Sequence, residues 1–356
     1  MDVKVELIFP FDLGLELDFS GPEAKDAAQE ISSLSLPNLS FEGRVFTSAR
    51  AETRLYRFGV GLVKLAFLAD ENPARCAEIA CNIERISVGR TPLRDWLRSR
   101  EGELIQEAEP YAAHRYDQRL REWEAFPVFI FDPAEVSDAD AFIRKNYKAI
   151  YGIVSGEQNF DMLSDFVFQR DPLGNFGYYQ DEVIISKRFG AVISSSESDK
   201  VLDLIALAYS QYWSLKSYHF VLDREIAAAQ KLLEDLPPYY KFWQIPGRYQ
   251  RFSTDAIDFG KDKLSIVDSL YNTSAGGSTV ESDWHLRMVY NDITKVFNVN
   301  ELFRTLETKL DRVEESYNQA REFLSTNFFI LLDIIFFLWL AWGVLDTALL
   351  LWIARK

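Results

Sequence analysis

The segment 328–354 constrains this chain more than any other feature. It is a run of 27 residues in which Asp333, Asp346 and Thr347 are the clearly polar members. A bilayer core of about 30 Å is crossed by about 20 apolar residues in a helix. Because the run is apolar on all sides and rich in Phe, Leu and Trp, it fits lipid better than the core of a soluble protein. We therefore predict a transmembrane helix over residues 327–354.

One span is favoured over a hairpin. Gly343 could mark a turn, but the second arm, 344–353, would be only about 15 Å long as a helix, which is half a bilayer. The N-terminus, MDVKVELIFP, lacks the basic start and the continuous apolar stretch of a signal peptide. We therefore expect a tail-anchored protein with residues 1–326 in the cytoplasm. The identity of the membrane stays open.

The two aspartates of the span carry the sharpest local hypothesis. A carboxylate at the centre of a span costs about 2.5–3.5 kcal/mol on insertion scales, so it usually faces a cavity, a partner helix or an interface. One interpretation is a ring of Asp residues that lines a cation path in an oligomer. The other is that each Asp reaches water near one interface. Asp333 and Asp346 point about 140° apart on a helix. We therefore expect Asp333 at an interface, and Asp346, beside Gly343, against a neighbouring helix.

Two long helices with seven-residue apolar spacing are predicted before the span. The first covers 198–235, and its steps of four and three run through Val201, Ile205, Ala208, Tyr212, Leu215, His219, Leu222, Ile226, Ala229 and Leu233. The second has the apolar positions Val299, Phe303, Leu306, Leu310, Val313, Tyr317, Ala320 and Leu324. Both seams can pack within one chain or between copies. We predict that the second seam, from Val299 to Tyr317, mediates homo-oligomerisation.

The phase of the apolar pattern slips between Val296 and Val299, which predicts a break near Asn298. From Val299 to Gly343 the chain has neither Pro nor Gly. The second heptad helix and the span should therefore form one continuous helix. The segment 237–283, aromatic at first and rich in Gly and Ser later, is predicted to be an irregular loop.

The N-terminal part predicts a strand-rich α/β domain. Strand candidates alternate with helical patterns, and a strand pair at 177–187 and 191–194 precedes the first long helix. The expected fold class is α+β, with a head at residues 1–196, a long-helix stalk at 197–326 and the span at 327–354.

Composition and motifs argue against several function classes. The 54 acidic and 39 basic residues give a net charge of −15, which disfavours nucleic-acid binding. The sequence has no Gly-rich phosphate loop, no nucleophile elbow and no paired metal-binding histidines. Cys76 and Cys81 are five residues apart and do not match a zinc or redox motif. We predict no cofactor, and we favour a protein that is not an enzyme.

The predicted layout resembles that of CorA-like proteins, and most closely that of the RMD1/RMND1 branch (the DUF155 family). Three segments carry the resemblance: 56–63 (YRFGVGLV), the strand pair 181–186 and 190–194, and the helix 284–324. The resemblance implies an anchored oligomer whose head recruits partners, and it implies Mg²⁺ as the ion if it extends to conduction. The Gly-Met-Asn signature of CorA channels is absent, because Trp342 is followed by Gly343-Val344-Leu345-Asp346.

Three functions therefore stay open. The favoured one is a membrane-anchored, oligomeric scaffold whose cytosolic head recruits a protein partner or a ligand. The first alternative is a CorA-like divalent-cation channel or a pore-forming effector. The second alternative is an enzyme whose site residues are scattered through the head.

Overall fold

The computed structural model describes residues 2–19, 28–70, 72–116, 118–234, 244–275 and 283–354. Within these ranges the fold is α+β, as the sequence predicts, with a large sheet and a long apolar C-terminal helix. Contacts divide the chain into two compact units. The first unit comprises residues 1–220 and 265–304, and the second comprises residues 221–264 and 305–356.

The first unit contains a mixed sheet that has seven strands among the described residues. Their order is β12-β13-β11-β1-β7-β6-β3, and neighbours are antiparallel except for β11 and β13. These strands are β1 (Asp2–Asp12), β3 (Ala28–Ser35), β6 (Thr47–Tyr56), β7 (Val60–Asp70), β11 (Phe126–Phe131), β12 (Val183–Ser186) and β13 (Ala191–Ser194). There are two smaller sheets among the described residues. One pairs β2 (Leu15–Leu17) with β10 (Ala112–Arg115), and the other has the order β5-β4-β8-β9, with β4 at Leu39–Phe41, β5 at Arg44–Val45, β8 at Ile86–Val88 and β9 at Thr91–Pro92.

The helices follow the order that the sequence suggests, with additions. They are α1 (Pro73–Cys81), α2 (Leu93–Ala108), α3 (Ala139–Ser155), α4 (Asp165–Arg170), α5 (Ser198–Glu234), α6 (Ile245–Ala275), α7 (Trp284–Val296) and α8 (Val299–Ala354). The predicted strand pair is present as β12 and β13, although β12 is shorter than the segment 177–187.

Alternation along the strands gives the sheet two buried faces. Odd residues of β1, such as Val5 and Leu7, belong to a core that includes residues of α1, α2 and α3. Ile8 belongs to a second core, which includes Ile205 of α5 and Val289 of α7. The sheet is therefore covered by helices on both faces, so its central strands are mostly apolar, with charged exceptions that include Lys4, Glu6 and Lys64.

The first unit does not end at residue 196, where the head was expected to end. The first half of α5 packs on the sheet, because Val201, Ile205 and Ala208 are buried in the second core. Its seven-residue spacing resembled a helix–helix seam, but a helix that lies on a sheet needs the same apolar face. The contacts of β1, β11 and β13 with this face could not be read from local periodicity.

The irregular loop expected at 237–283 is wrong for most of its length. Residues Ile245–Ala275 form α6, a helix of 31 residues. Its buried side chains Phe252, Phe259 and Ile266 are seven residues apart. Pro246 lies in the first turn, where a helix tolerates proline.

The second unit buries the membrane-proximal seam within one chain. Leu306, Leu310, Val313 and Tyr317 are all at most 8% exposed. The ring of Tyr317 stacks on Phe259 of α6 with centroids 4.8 Å apart. Ion pairs flank the seam, from Lys263 to Glu314 at 2.6 Å and from Lys309 to Asp223 at 2.5 Å.

The break before the last helix is confirmed. α7 ends at Val296, and Asn298 has a left-handed backbone with φ of 52°. Its carbonyl accepts the N–H groups of Glu301 and Leu302, which starts the next helix. From Val299 to Ala354 the chain is one continuous helix of 56 residues, as predicted.

Candidate functional site

The C-terminal part of α8 is long and apolar enough to cross a membrane. Its best 18-residue window has a mean hydropathy of 2.4, and 6% of that window is buried. Large side chains such as Phe337, Trp339 and Trp342 are about 70% exposed (68%, 72% and 74%). This criterion rests on length and composition, and it supports a membrane anchor.

The two span aspartates lie on the exposed surface of α8. Among the residues that the structure describes, neither Asp333 nor Asp346 makes an ion pair. A Cβ atom added to Gly343 would meet no heavy atom within 4 Å, so this face of the helix has room for a close neighbour. Thr347 donates its hydroxyl to the Gly343 carbonyl at 2.7 Å, which satisfies that polar group within the helix.

The seam that was predicted to join copies is occupied inside the chain. Val299 and Phe303 are half-buried, and Leu306, Leu310, Val313 and Tyr317 are buried. An oligomer formed through the buried positions would have to displace α6. From Leu306 onward the seam is buried within this chain, and homo-oligomerisation stays a prediction.

A buried carboxylate, Glu182, joins the β12 region to the start of α7. Its Oε1 accepts the Ser195 hydroxyl at 2.6 Å. Its Oε2 accepts the Tyr178 N–H at 3.0 Å and lies 3.0 Å from Nε2 of His285. In a hydrolytic triad the histidine lies between the hydroxyl and the acid. Here the acid is central, so the arrangement fixes α7 on the sheet instead of activating Ser195.

A second buried carboxylate, Glu16 of β2, collects hydroxyl groups from three parts of the first unit. Tyr116 donates to Oε1, Tyr218 donates to the same oxygen at 3.2 Å, and Ser265 donates to Oε2 at 2.5 Å. Burial raises the pKa of Tyr116, and the neighbouring Tyr218 and Glu16 add to the effect. The tyrosine therefore stays a neutral donor, and the cluster is a static link.

Charged groups also lie between the sheet and α5. Glu6 is fully buried, and Lys4 approaches its Oε1 at 3.2 Å. Lys4 also pairs with Asp199 of α5 at 2.9 Å, and Lys64 pairs with Glu52 at 2.8 Å. Burial raises the pKa of Glu6, against the opposing effect of Lys64 and Lys4. Sequence reasoning missed all three clusters because their members are far apart along the chain.

A surface pocket of about 910 Å³ lies where α1, α3 and the region of α4 meet. α3 is interrupted here, because Asn146 has a non-helical backbone (φ −111°, ψ 17°). The lining is basic along α3, through Arg144, Lys145 and Lys148, and it also includes the acidic residues Asp161 and Asp165. Elsewhere, no group of three or more His, Cys, Asp or Glu side chains in the described ranges is placed to hold a metal ion.

Comparison with known proteins finds a distant similarity. An uncharacterized protein of Methanocaldococcus jannaschii is 21% identical over 234 residues, which cover 65% of this chain and 67% of that protein. No family model matches the chain. No solved structure matches it either.

Proposed function

We propose that this protein is a membrane-anchored scaffold whose first unit recruits a partner or ligand at the cytoplasmic face of a membrane. The observation that carries the proposal is the two-part character of α8. Residues such as Val313 and Ala320 are buried in protein, whereas the same helix continues into an apolar stretch that is almost fully exposed. Exposed apolar surface of this extent is a liability in water, and lipid removes it.

The buried polar groups support a scaffold over an enzyme. Glu16 and Glu182 are surrounded by hydroxyl, N–H and imidazole groups that hold separate elements together. Catalytic acids and bases instead line a cleft where a substrate can reach them. The clusters therefore favour rigidity of the first unit.

Self-association is part of the proposal, through a surface other than the seam at Leu306–Tyr317. The apolar end of α8 offers such a surface. Gly343 leaves room for a second helix, and Asp346 lies one turn away on the same helix. Small residues in a span allow close helix packing, and a polar group there gains from a partner.

Fractionation of the full-length protein and of a variant that ends at Asn327 tests the anchor. We expect the full-length protein to stay in the membrane pellet after alkaline carbonate, and the shorter chain to be soluble. Protease added to the cytoplasmic side should digest the first unit of the full-length protein. A full-length protein that carbonate extracts, or a first unit that resists protease added to the cytoplasmic side of the membrane, contradicts the proposal.

A CorA-like cation channel is the second candidate, and the presence of Asp333 and Asp346 in the apolar stretch favours it. Mg²⁺ would then be the transported ion. Purified protein in a planar bilayer separates the two functions, because a channel gives an Mg²⁺-dependent current and a scaffold gives none.

A further inference from the structure

We infer that the pocket at the interrupted helix α3 binds the phosphate ester of a hydroxyl-rich ring, such as a sugar phosphate or the headgroup of a phosphoinositide. This inference deepens the proposed function, on which it rests for the role of the first unit as a recruiting module. It names the chemistry that the unit recognises.

The pocket has the size of a small-molecule site. The volume of this open surface pocket, about 910 Å³, lies within the range of roughly 300–1,000 Å³ that ligand pockets occupy. Three separate parts of the chain form its walls: the first residues of α1, the middle of α3, and residues 161–169. A ligand there would therefore contact three separate parts of the chain and not a single helix face.

The basic wall of the pocket carries positive charge that no ion pair within the described ranges neutralises. Arg144 and Lys145 are exposed, and within the described ranges neither forms an ion pair. Lys148 donates one proton to the Asp161 carbonyl at 2.8 Å, which leaves two ammonium protons for a ligand. Arginine and lysine side chains are the usual partners of phosphate oxygens. In a chain with a net charge of −15, three such groups within five residues are an exception.

The acidic wall suits hydroxyl groups. Asp161 and Asp165 lie in the first turns of two short helices, where free N–H groups favour carboxylates. Both residues belong to the lining of the pocket. Carboxylates accept hydrogen bonds from hydroxyl groups. A ligand with its phosphate at Arg144 and Lys145 and its hydroxyl groups at the two aspartates satisfies both walls.

The aromatic floor is held in place before any ligand arrives. Phe168 packs edge-on against Tyr147 and Tyr151, with ring centroids 5.1 and 5.2 Å apart. The Tyr147 hydroxyl accepts the N–H of Leu173 at 3.0 Å, which fixes its ring. A preformed apolar surface of this kind takes the C–H face of a sugar or inositol ring at little cost in ordering.

Calorimetric titration of the full-length protein in detergent tests the inference with defined probes. These are glucose 6-phosphate, glucose, inorganic phosphate and water-soluble dibutanoyl phosphatidylinositol 4-phosphate. We expect at least one phosphate ester to bind, glucose not to bind, and the double variant Arg144→Ala/Lys145→Ala to weaken binding at least tenfold. Tighter binding of glucose 6-phosphate indicates a soluble ligand, and tighter binding of the phosphoinositide indicates a lipid headgroup.

A matched control removes the same charge elsewhere. Arg90 and Arg98 are exposed and outside the pocket, so Arg90→Ala/Arg98→Ala should leave the affinity within twofold. Asp161→Asn should weaken glucose 6-phosphate more than inorganic phosphate, because only the former has hydroxyl groups. Equal weakening by both double variants, or no binding of any phosphate ester to the wild type, overturns the inference. Either result leaves the proposal of a membrane anchor unaffected. Conversely, a failed carbonate test leaves the outcome of the titration unaffected.

Discussion

The ring of Tyr317 in α8 stacks on Phe259 of α6, with their planes 15° apart. Both side chains are buried, at 8% and 6% exposure. The stack therefore lies in the core of the second unit and not at a boundary between copies. Burial raises the pKa of Tyr317, with nearby carboxylates of Glu225, Asp255 and Asp262 acting in the same direction.

Truncating Phe259 should destabilise the second unit. Phe259→Ala removes a buried ring, a change that typically costs about 3–5 kcal/mol. The measurement is denaturant unfolding followed by circular dichroism. Leu264→Ala on the same helix is the control, because Leu264 is 69% exposed and should change the free energy of unfolding by less than about 0.5 kcal/mol. Normal stability of Phe259→Ala with an altered oligomeric state would instead place the seam between copies.

The turn between β6 and β7 should not tolerate a side chain at Gly59. Its φ is 79°, and an added Cβ would lie 2.5 Å from the Leu15 carbonyl oxygen. We expect Gly59→Ala to lower the free energy of unfolding by about 3 kcal/mol, through backbone strain and a clash with main chain. Thermal unfolding, followed with the same probe of the first unit in wild type and variant, measures this loss of stability.

A substitution at Gly43 separates the cost of backbone strain from the cost of the clash with main chain. Its φ is 84°, but a Cβ added there would meet nothing within 4 Å. Gly43→Ala should therefore cost only the left-handed strain, about 1 kcal/mol. Equal costs at Gly43 and Gly59 would mean that the contact with Leu15 contributes nothing.

Replacing Glu6 should change how stability depends on pH. Since burial raises the pKa of Glu6, the folded state holds this proton more tightly than the unfolded state. The free energy of unfolding then falls as pH rises from the ordinary carboxyl range through the raised pKa. Glu6→Gln removes this fall, so the wild type should lose stability relative to the variant as pH rises through this range.

The difference between the two proteins isolates Glu6. Burial also raises the pKa of Asp12, which depresses stability with rising pH in the same way, but that residue is present in both proteins. Lys4 and Lys64 keep Asp199 and Glu52 as partners in the variant. Urea unfolding at several pH values measures the effect. A constant difference between wild type and Glu6→Gln from pH 4 to pH 7 would contradict it.

The sequence predicted the features that depend on local periodicity. The break at Asn298, the unbroken helix from Val299 and the exposed apolar end all follow from spacing and composition. It did not predict α6, because Pro246, Gly247 and Gly260 interrupt the pattern that Phe252 and Phe259 carry. Propensity disfavours those residues in a helix, but burial of the aromatic face outweighs the cost.

What periodicity could not supply is the identity of the surface that covers each apolar face. The face of α5 at Ile205 meets a sheet, and the face of α8 at Val313 lies in the core of the second unit. Both faces have the same seven-residue apolar spacing in the sequence. The clusters around Glu16 and Glu182 and the basic pocket likewise join residues that are tens to hundreds of positions apart, and a single sequence gives no sign of such proximity.

The two span aspartates should respond differently to neutralisation. Asp333 lies about a turn and a half inside the apolar stretch, so it can reach headgroup water, and Asp333→Asn should leave self-association unchanged. Asp346 is deeper and lies one turn from Gly343, where a second helix can approach. We therefore expect Asp346→Asn to weaken the oligomer in detergent by about 1 kcal/mol, the usual size of a polar contact between spans. Mass photometry across a dilution series measures both variants, and Asp333→Asn is the matched control. Identical dissociation of wild type and Asp346→Asn would remove the polar contact, and an altered Mg²⁺ current in either variant would favour the channel.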